Sequence, residues 1–188
     1  LSSLGGVAFG KYKFRGQNLV FAMILGVMMI PPQVTLIPNY LILRALGGLN
    51  TYWGVIIVSV VNPFGIFLVR QYMQSIPDEL MDAARIDGCN EWLIFWKILL
   101  PLMKPVLGTL AIFSFTDNWN SFMWPLIVMD AQEMYTLQVG LAFFRGQHQV
   151  YPNLIMAVNV VAIIPVLAIF LAFQKYFVQG IQLSGMKG

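Results

Sequence analysis

The chain has 188 residues, 59% hydrophobic and 10% charged, with a net charge of +3. Soluble domains carry about 25% charged residues, so this composition, with a mean hydropathy of +0.74, belongs in a bilayer. The single cysteine, Cys89, and single histidine, His148, exclude a disulfide framework and any His/Cys-rich metal or nucleophile site, and the Lys and Arg residues form no dense basic stripe for nucleic acid.

Residues 1–16, LSSLGGVAFGKYKFRG, lack the long apolar core and small-residue cleavage site of a signal peptide. They read as the tail of a helix leaving the membrane, with the expectation that earlier spans precede them. Residues 16–43 carry no charge and predict a first transmembrane helix. Within it, Pro31, Pro32 and Pro38 must kink or break the helix, because proline lacks an amide donor and clashes one turn back. Either the kink is structural, or the discontinuity lines a cavity, where freed backbone groups are tolerated in a membrane.

Residues 45–69 and 149–174 are also uncharged, and 105–129 is interrupted only by Asp117. At about 20 residues per span, the chain is expected to hold about four transmembrane helices. Consecutive apolar runs such as GVIIVSVV exclude the alternating pattern of a membrane barrel. Lys11, Lys13, Arg15, Arg70, Arg85, Lys97, Lys104, Lys175 and Lys187 fall on one side of this topology, and Arg44 and Arg145 on the other. The positive-inside rule makes the first side cytoplasmic, together with both ends of the chain.

Residues 78–88, DELMDAARIDG, then form a cytosolic island between apolar runs. Ser75 can cap a helix there, Pro77 suits its first turn, and Asp78, Glu79 and Asp82 favour its positive end. Gly88 is the expected stop. The spacing predicts a helix of about three turns with Leu80, Ala83 and Ala84 on one side, a small apolar face ringed by acids and suited to docking. Residues 91–105, EWLIFWKILLPLMKP, predict a second helix at the membrane interface, where Trp92 and Trp96 are at home.

IPDELMDAARIDGCNEWLIFWKILLPLMKP resembles the EAA loop, about 75–104, of permease subunits of binding-protein-dependent ABC importers. Asp82-Ala83-Ala84 stand at E-A-A, followed by Asp87-Gly88 and Leu100-Pro101; Asp82 replaces the usual Glu and Cys89 a usual Ala. MIPPQVTLIPNY, LNTYWGVI, FGIFLVRQYMQSIP, WNSFMWPL, YTLQVGL and FVQGIQLSGMKG are similar to the carbohydrate-uptake branch, the maltose-type second permease. The resemblance covers essentially the whole chain. It implies an all-α integral membrane fold, the type I ABC importer transmembrane domain. Residues 1–188 would be one such domain, its C-terminal part, lacking about one and a half spans upstream.

The resemblance further implies a sugar importer of the bacterial plasma membrane. Its partners would be a second permease subunit, a cytosolic ATPase dimer and an extracytoplasmic sugar-binding protein. This subunit would bind no cofactor, ATP and Mg being held by the ATPase. Glu79, Asp82, Ala83, Ala84, Asp87 and Gly88 would couple to the ATPase, which Gly185, Lys187 and Gly188 of the tail would also reach. Three other classes compete: an ABC importer for another solute, an integral-membrane transferase, and a secondary transporter. A transferase needs a catalytic cluster that the capped acidic helix does not supply, and a secondary transporter needs no docking helix.

One polar cluster lies inside a span. Asp117 is 12 residues past Pro105, roughly 18 Å at helical rise, and an intramembrane carboxylate marks a functional site by default. Asn118, Trp119, Asn120 and Trp124 add hydrogen-bonding and stacking groups suited to a sugar, although the family pattern has a small residue at 117 and an acid at 121. The alternative is a polar contact with the partner permease. The outer loop, 130–152, is expected to hold an amphipathic helix; His148 and Arg145 there read as solvated, and the methionines as packing.

Overall fold

The computed structural model of the chain describes residues 1–147 and 151–185, and every regular element among them is helical. In chain order, α1 (Ser2–Lys11) and α2 (Gln17–Met28) precede α3 (Pro32–Ala45) and α4 (Tyr52–Ile56). A 3-10 turn at Ile57–Ser59 leads on to α5 (Pro63–Met73). The short α6 (Glu79–Ile86) stands before α7 (Glu91–Leu102), which contains a π turn at Phe95–Leu99. Then follow α8 (Lys104–Trp119), α9 (Met123–Val128), α10 (Leu137–Gln147) and α11 (Pro152–Gly185). His148, Lys187 and Gly188 lie outside the described residues.

Two segments are long and apolar enough to cross a bilayer, Tyr52–Met73 with 22 residues and Pro152–Tyr176 with 25. The broken pairs α2–α3 and α7–α8 bring the number to as many as four, the number expected, although the α7–α8 pair covers Glu91–Trp119, beginning in the stretch expected at the interface, where the expected run is 105–129. The proline-rich stretch does break its helix. Pro32 opens α3, where its missing N–H falls among donors that a helix start leaves unpaired anyway, and Pro38 sits inside α3.

The third apolar run is not one helix. α8 starts at Lys104, bent by 76° from α7, and stops at Trp119, with Asn120, Ser121 and Phe122 separating it from α9. Here Asn118 Nδ2 donates to the Ser114 carbonyl at 2.7 Å. Such short polar side chains offer the backbone local partners that compete with the helical ladder. In α7, the π turn lies just before Pro101, whose ring would meet the Lys97 carbonyl one turn back in a regular helix.

The chain divides into two compact units. The first comprises residues 1–29, 61–111 and the described part of Phe173–Gly188. Its core is Val7, Val69, Met73, Met81, Ala84, Ile94, Phe95, Leu99, Met103 and Val106. Three methionines are among its most buried side chains, the filling role expected of a flexible thioether. α1 packs along α5 through Gly6 and Gly10, a small-xxx-small pair that lets two backbones approach. The second unit, Ile30–Val60 with Ile112–Ala172, has its own core at Leu43, Val128 and Met129.

Candidate functional site

The acidic island folds as α6, eight residues and so about two turns rather than three. Ser75 is not its cap. Ser75 Oγ donates to the Tyr72 carbonyl at 2.7 Å, and the amides of Ser75 and Ile76 bond back to Tyr72 and Met73, so Ser75 belongs to the closing turn of α5. Asp78 stands at the cap position of α6 but makes no capping bond. Its carboxylate instead accepts from Lys11 Nζ at 2.5 Å, and the same ammonium donates to the Ile76 carbonyl.

Gly88 ends α6 as expected, with φ of 83°, a left-handed conformation that glycine adopts without a Cβ penalty. The Cys89 amide bonds to the Ala84 carbonyl at 2.9 Å and the Gly88 amide to the Arg85 carbonyl at 3.0 Å. These are the paired hydrogen bonds of a Schellman stop, and Cys89 packs against the core beside it.

The helix also faces differently than its alanines suggest. Neighbouring residues are about 100° apart around a helix, so Ala83 and Ala84 part company. Met81 and Ala84, three apart, are buried in the first unit's core. Glu79, Leu80, Asp82, Ala83 and Asp87 are exposed, and Ile86, at 86% exposure, is the most exposed apolar residue of the helix. The outward surface is thus an Ile86–Ala83–Leu80 strip edged by acids, with Ala84 serving as the foot that seats the helix.

The charges around α6 form one connected set. Arg85 Nη1 donates to Asp82 Oδ1 at 2.7 Å, and Arg85 Nε donates to Glu91 Oε1 at 2.9 Å. Glu91 Oε2 accepts from the Tyr12 hydroxyl at 2.5 Å. Burial, then the Glu91 carboxylate, pushes the Tyr12 phenol up to about 12. Arg85 and then Tyr12 hold Glu91 below the usual carboxylate range, and Lys11 does the same for Asp78. The Arg85 guanidinium is raised further, chiefly by Glu91 and despite some desolvation. Asp82, expected to reach toward a partner, is engaged within its own chain.

The residues expected to touch substrate are not gathered into one place. Asn118 bonds to its own helix, and Trp119 Nε1 donates to the Ala162 carbonyl at 3.0 Å while its ring stacks on Phe115. Trp124 Nε1 donates to the Gly54 carbonyl at 3.1 Å. Asp117 is exposed, and its carboxylate makes no hydrogen bond or ion pair among the described residues. Two separate cavities take Trp124 and Asn120. One of about 370 Å3 is lined by Gln33, Thr35, Asn39, Ser121, Phe122 and Trp124, where the start of α3 meets the gap between α8 and α9. The other, of about 310 Å3, takes Asn120 together with Gln138 and Asn159. No group of His, Cys, Asp and Glu able to hold a metal occurs among the described residues.

Sequence reasoning missed Lys11, Tyr12, Arg85, Glu91 and Ile86 as parts of the site. The helical wheel of α6 signals Ile86, which lies opposite Met81 and Ala84. For Lys11 and Tyr12 nothing local signals a role, since their partners are 65 to 79 positions away. The outer loop does carry the expected helix, α10, from which Arg145 Nη2 donates to Asn159 Oδ1 at 2.9 Å. Arg145 is therefore paired rather than merely solvated.

The chain is similar to the arabinooligosaccharides transport system permease protein AraQ of Halalkalibacterium halodurans, 41% identical over 187 residues covering 100% of this chain and 67% of that one. It is 40% identical to AraQ of Bacillus subtilis, with coverage of 100% and 66%. It is also 32% identical to the lactose transport system permease protein LacG of Rhizobium radiobacter, covering 96% of this chain and 66% of the other. The chain thus spans about two thirds of the length of the curated relatives it matches. These relatives are permeases, transport components rather than enzymes. Among solved structures, a bacterial ABC transporter involved in import of the acidic polysaccharide alginate superposes with a TM-score of 0.81 at 31% identity, over 94% of this chain and 69% of that one. The description of the binding-protein-dependent transport system inner membrane component matches residues 2–183, and the chain belongs to that family.

Proposed function

We propose that this chain is the permease half-pathway of an ATP-driven oligosaccharide importer in a bacterial plasma membrane, with α6 docking into an ATPase subunit. One observation carries the docking reading: α6 is stopped by Gly88, fixed to its own core by Met81 and Ala84, and turns an apolar strip with acidic edges away from that core. A helix anchored on one face and bare on the other suits transmission of a push. The basic-residue bias supports a cytoplasmic side for it and for both chain ends. Glu79, Asp87 and Ile86 are its outer contacts, Ala83 its point of close approach, and Gly88 fixes its length. ATP-driven closure of the ATPase dimer would move α6 and rock the spans packed on it, a rigid-body device.

The substrate class rests on the relatives, whose names specify arabino-oligosaccharides and lactose, and melibiose, raffinose and stachyose for MelC of Bacillus subtilis. Within this chain, the 370 Å3 cavity, which takes Trp124 from the expected cluster, is a better sugar path than Asp117, Asn118, Trp119 and Asn120. It opens where two apolar runs are interrupted, and non-helical backbone at membrane depth is tolerated where it lines a cavity. The second permease and the sugar-binding protein would complete the path.

The test uses the assembled transporter in proteoliposomes, supplied with binding protein and labelled arabino-oligosaccharide. Ile86→Glu leaves the core untouched and should abolish ATP-dependent uptake and release the ATPase subunit on purification. Full uptake with that variant would sink the docking reading. Uptake of an amino acid or phosphonate, and not of any oligosaccharide, would sink the sugar reading.

A further inference from the structure

α6 hangs between two short connections, residues 74–78 and 87–90. Connections of that kind absorb displacement, and two buried side chains alone give α6 a narrow footing. Two polar ties flank it instead. On its leading side, Lys11 Nζ reaches the Ile76 carbonyl and Asp78; the Lys11 side chain is only 2% exposed although Asp78 is 73% exposed. A buried ammonium is costly unless partnered, so this one is committed to those acceptors. On its trailing side runs the series Tyr12, Glu91, Arg85, Asp82, each within hydrogen-bond reach of the next. Both ties start from adjacent residues at the end of α1, and α1 is locked along α5 at Gly6 and Gly10.

We propose that Lys11 and Tyr12 are positioning residues of the transport cycle, a two-point clamp that delivers the displacement of α6 to α1 and α5 instead of losing it in the flanking connections. The clamp rests on the reading of α6 as the ATPase-docking helix, and it adds the route by which the push enters the membrane helices. Asp82 then has a task other than gripping the ATPase: it is the far end of the trailing tie. Arg85 is the bridge that makes α6 and the head of α7 move together.

The experiment measures ATPase-subunit retention, ATP hydrolysis and sugar uptake in proteoliposomes of the assembled transporter. Lys11→Met keeps the aliphatic stem and removes the charge; Tyr12→Phe removes one oxygen. Both variants, and more so the pair together, should retain the ATPase subunit and hydrolyse ATP while sugar delivered per ATP falls severalfold. The exchange Lys11→Asp with Asp78→Lys should recover part of the uptake that each single exchange loses, which a merely space-filling role for Lys11 would not do. Unchanged sugar per ATP in the double variant, or no recovery in the exchange, overturns the clamp. Failure of the docking reading looks different, because Ile86→Glu would then leave retention and uptake intact while the clamp residues are native.

Discussion

Gly6 of α1 lies so close to Val69 of α5 that a Cβ on Gly6 would fall 2.4 Å from the Val69 Cβ. One turn on, a Cβ on Gly10 would fall 2.6 Å from the Met73 Cβ. Neither contact is with the far end of a flexible chain, and the α5 backbone at Arg70 stands just behind both. Gly6→Ala and Gly10→Ala should therefore each destabilise the protein by about 1–3 kcal/mol, the usual cost of overpacking. Gly26→Ala is the control, since nothing lies within 4 Å of its Cβ position in α2. It should be neutral or stabilising by up to about 1 kcal/mol from helix propensity. Thermal unfolding in detergent, read against the native protein, orders the three.

Gly88 presents the opposite case. A Cβ there would meet nothing within 4 Å, yet φ is 83°. The cost of Gly88→Ala is conformational, about 1–2 kcal/mol for an L-residue in the left-handed region. Gly88→Asn should cost less, because asparagine tolerates that region. Hydrogen exchange is the measurement: the Gly88 and Cys89 amides, bonded to Arg85 and Ala84, should exchange faster in Gly88→Ala than in Gly88→Asn.

The parts legible in the sequence were those set by short-range physics. The uncharged runs 45–69 and 149–174 mark the two unbroken segments long enough to cross a bilayer, Pro31 and Pro32 the break before α3, and Gly88 the end of α6. Ser75 does not cap α6, because the segment closing one helix and the segment opening the next are both polar and only a few residues apart; its side chain takes the nearer carbonyl, that of Tyr72. Asn118, Trp119 and Trp124 looked like one sugar-binding group by adjacency. In the fold their donors serve three backbone carbonyls, at Ser114, Ala162 and Gly54. Lys11 counts in the sequence only toward the basic-residue bias and Tyr12 toward nothing, since pairing across more than sixty residues leaves no local trace.

Tyr12 offers a spectroscopic check on the trailing tie. Its phenol is raised from 10.0 to about 12, so the folded state binds that proton more tightly than the unfolded chain does. The stability tied to Tyr12 is complete below pH 10 and is lost as pH rises from 10 toward 12. Glu91 and Asp78 shift the other way, so their contribution is present above the ordinary carboxylate range and lost as pH falls through their lowered values. The ties are thus intact throughout the neutral range. The difference in phenolate absorbance between the native protein and Tyr12→Phe should show a transition near 12. In Glu91→Gln, which removes the charge that opposes ionisation, that transition should move toward 10; an unmoved midpoint would detach Tyr12 from Glu91.

Asn50 is the remaining test, in the second unit. It is the one non-glycine residue with positive φ among the described residues, 53°, and its side-chain oxygen accepts from the amides of Asp130 at 3.2 Å and Ala131 at 3.1 Å. Its own amide donates to the Val128 carbonyl at 2.7 Å. One residue therefore supplies a left-handed turn and joins the end of α9 to the turn after α3. The two roles separate by substitution. Asn50→Asp keeps the acceptor and tolerates the conformation, so it should be mildest. Asn50→Gly keeps the conformation but loses both side-chain bonds, about 1 kcal/mol each. Asn50→Ala loses the bonds and adds strain of about 1–2 kcal/mol, so it should be the most destabilised. Thermal midpoints in the order Asp, Gly, Ala from highest to lowest are expected. A tie between Gly and Ala would mean that the turn relaxes its conformation, and a tie between Asp and Gly would mean that the side-chain bonds contribute nothing.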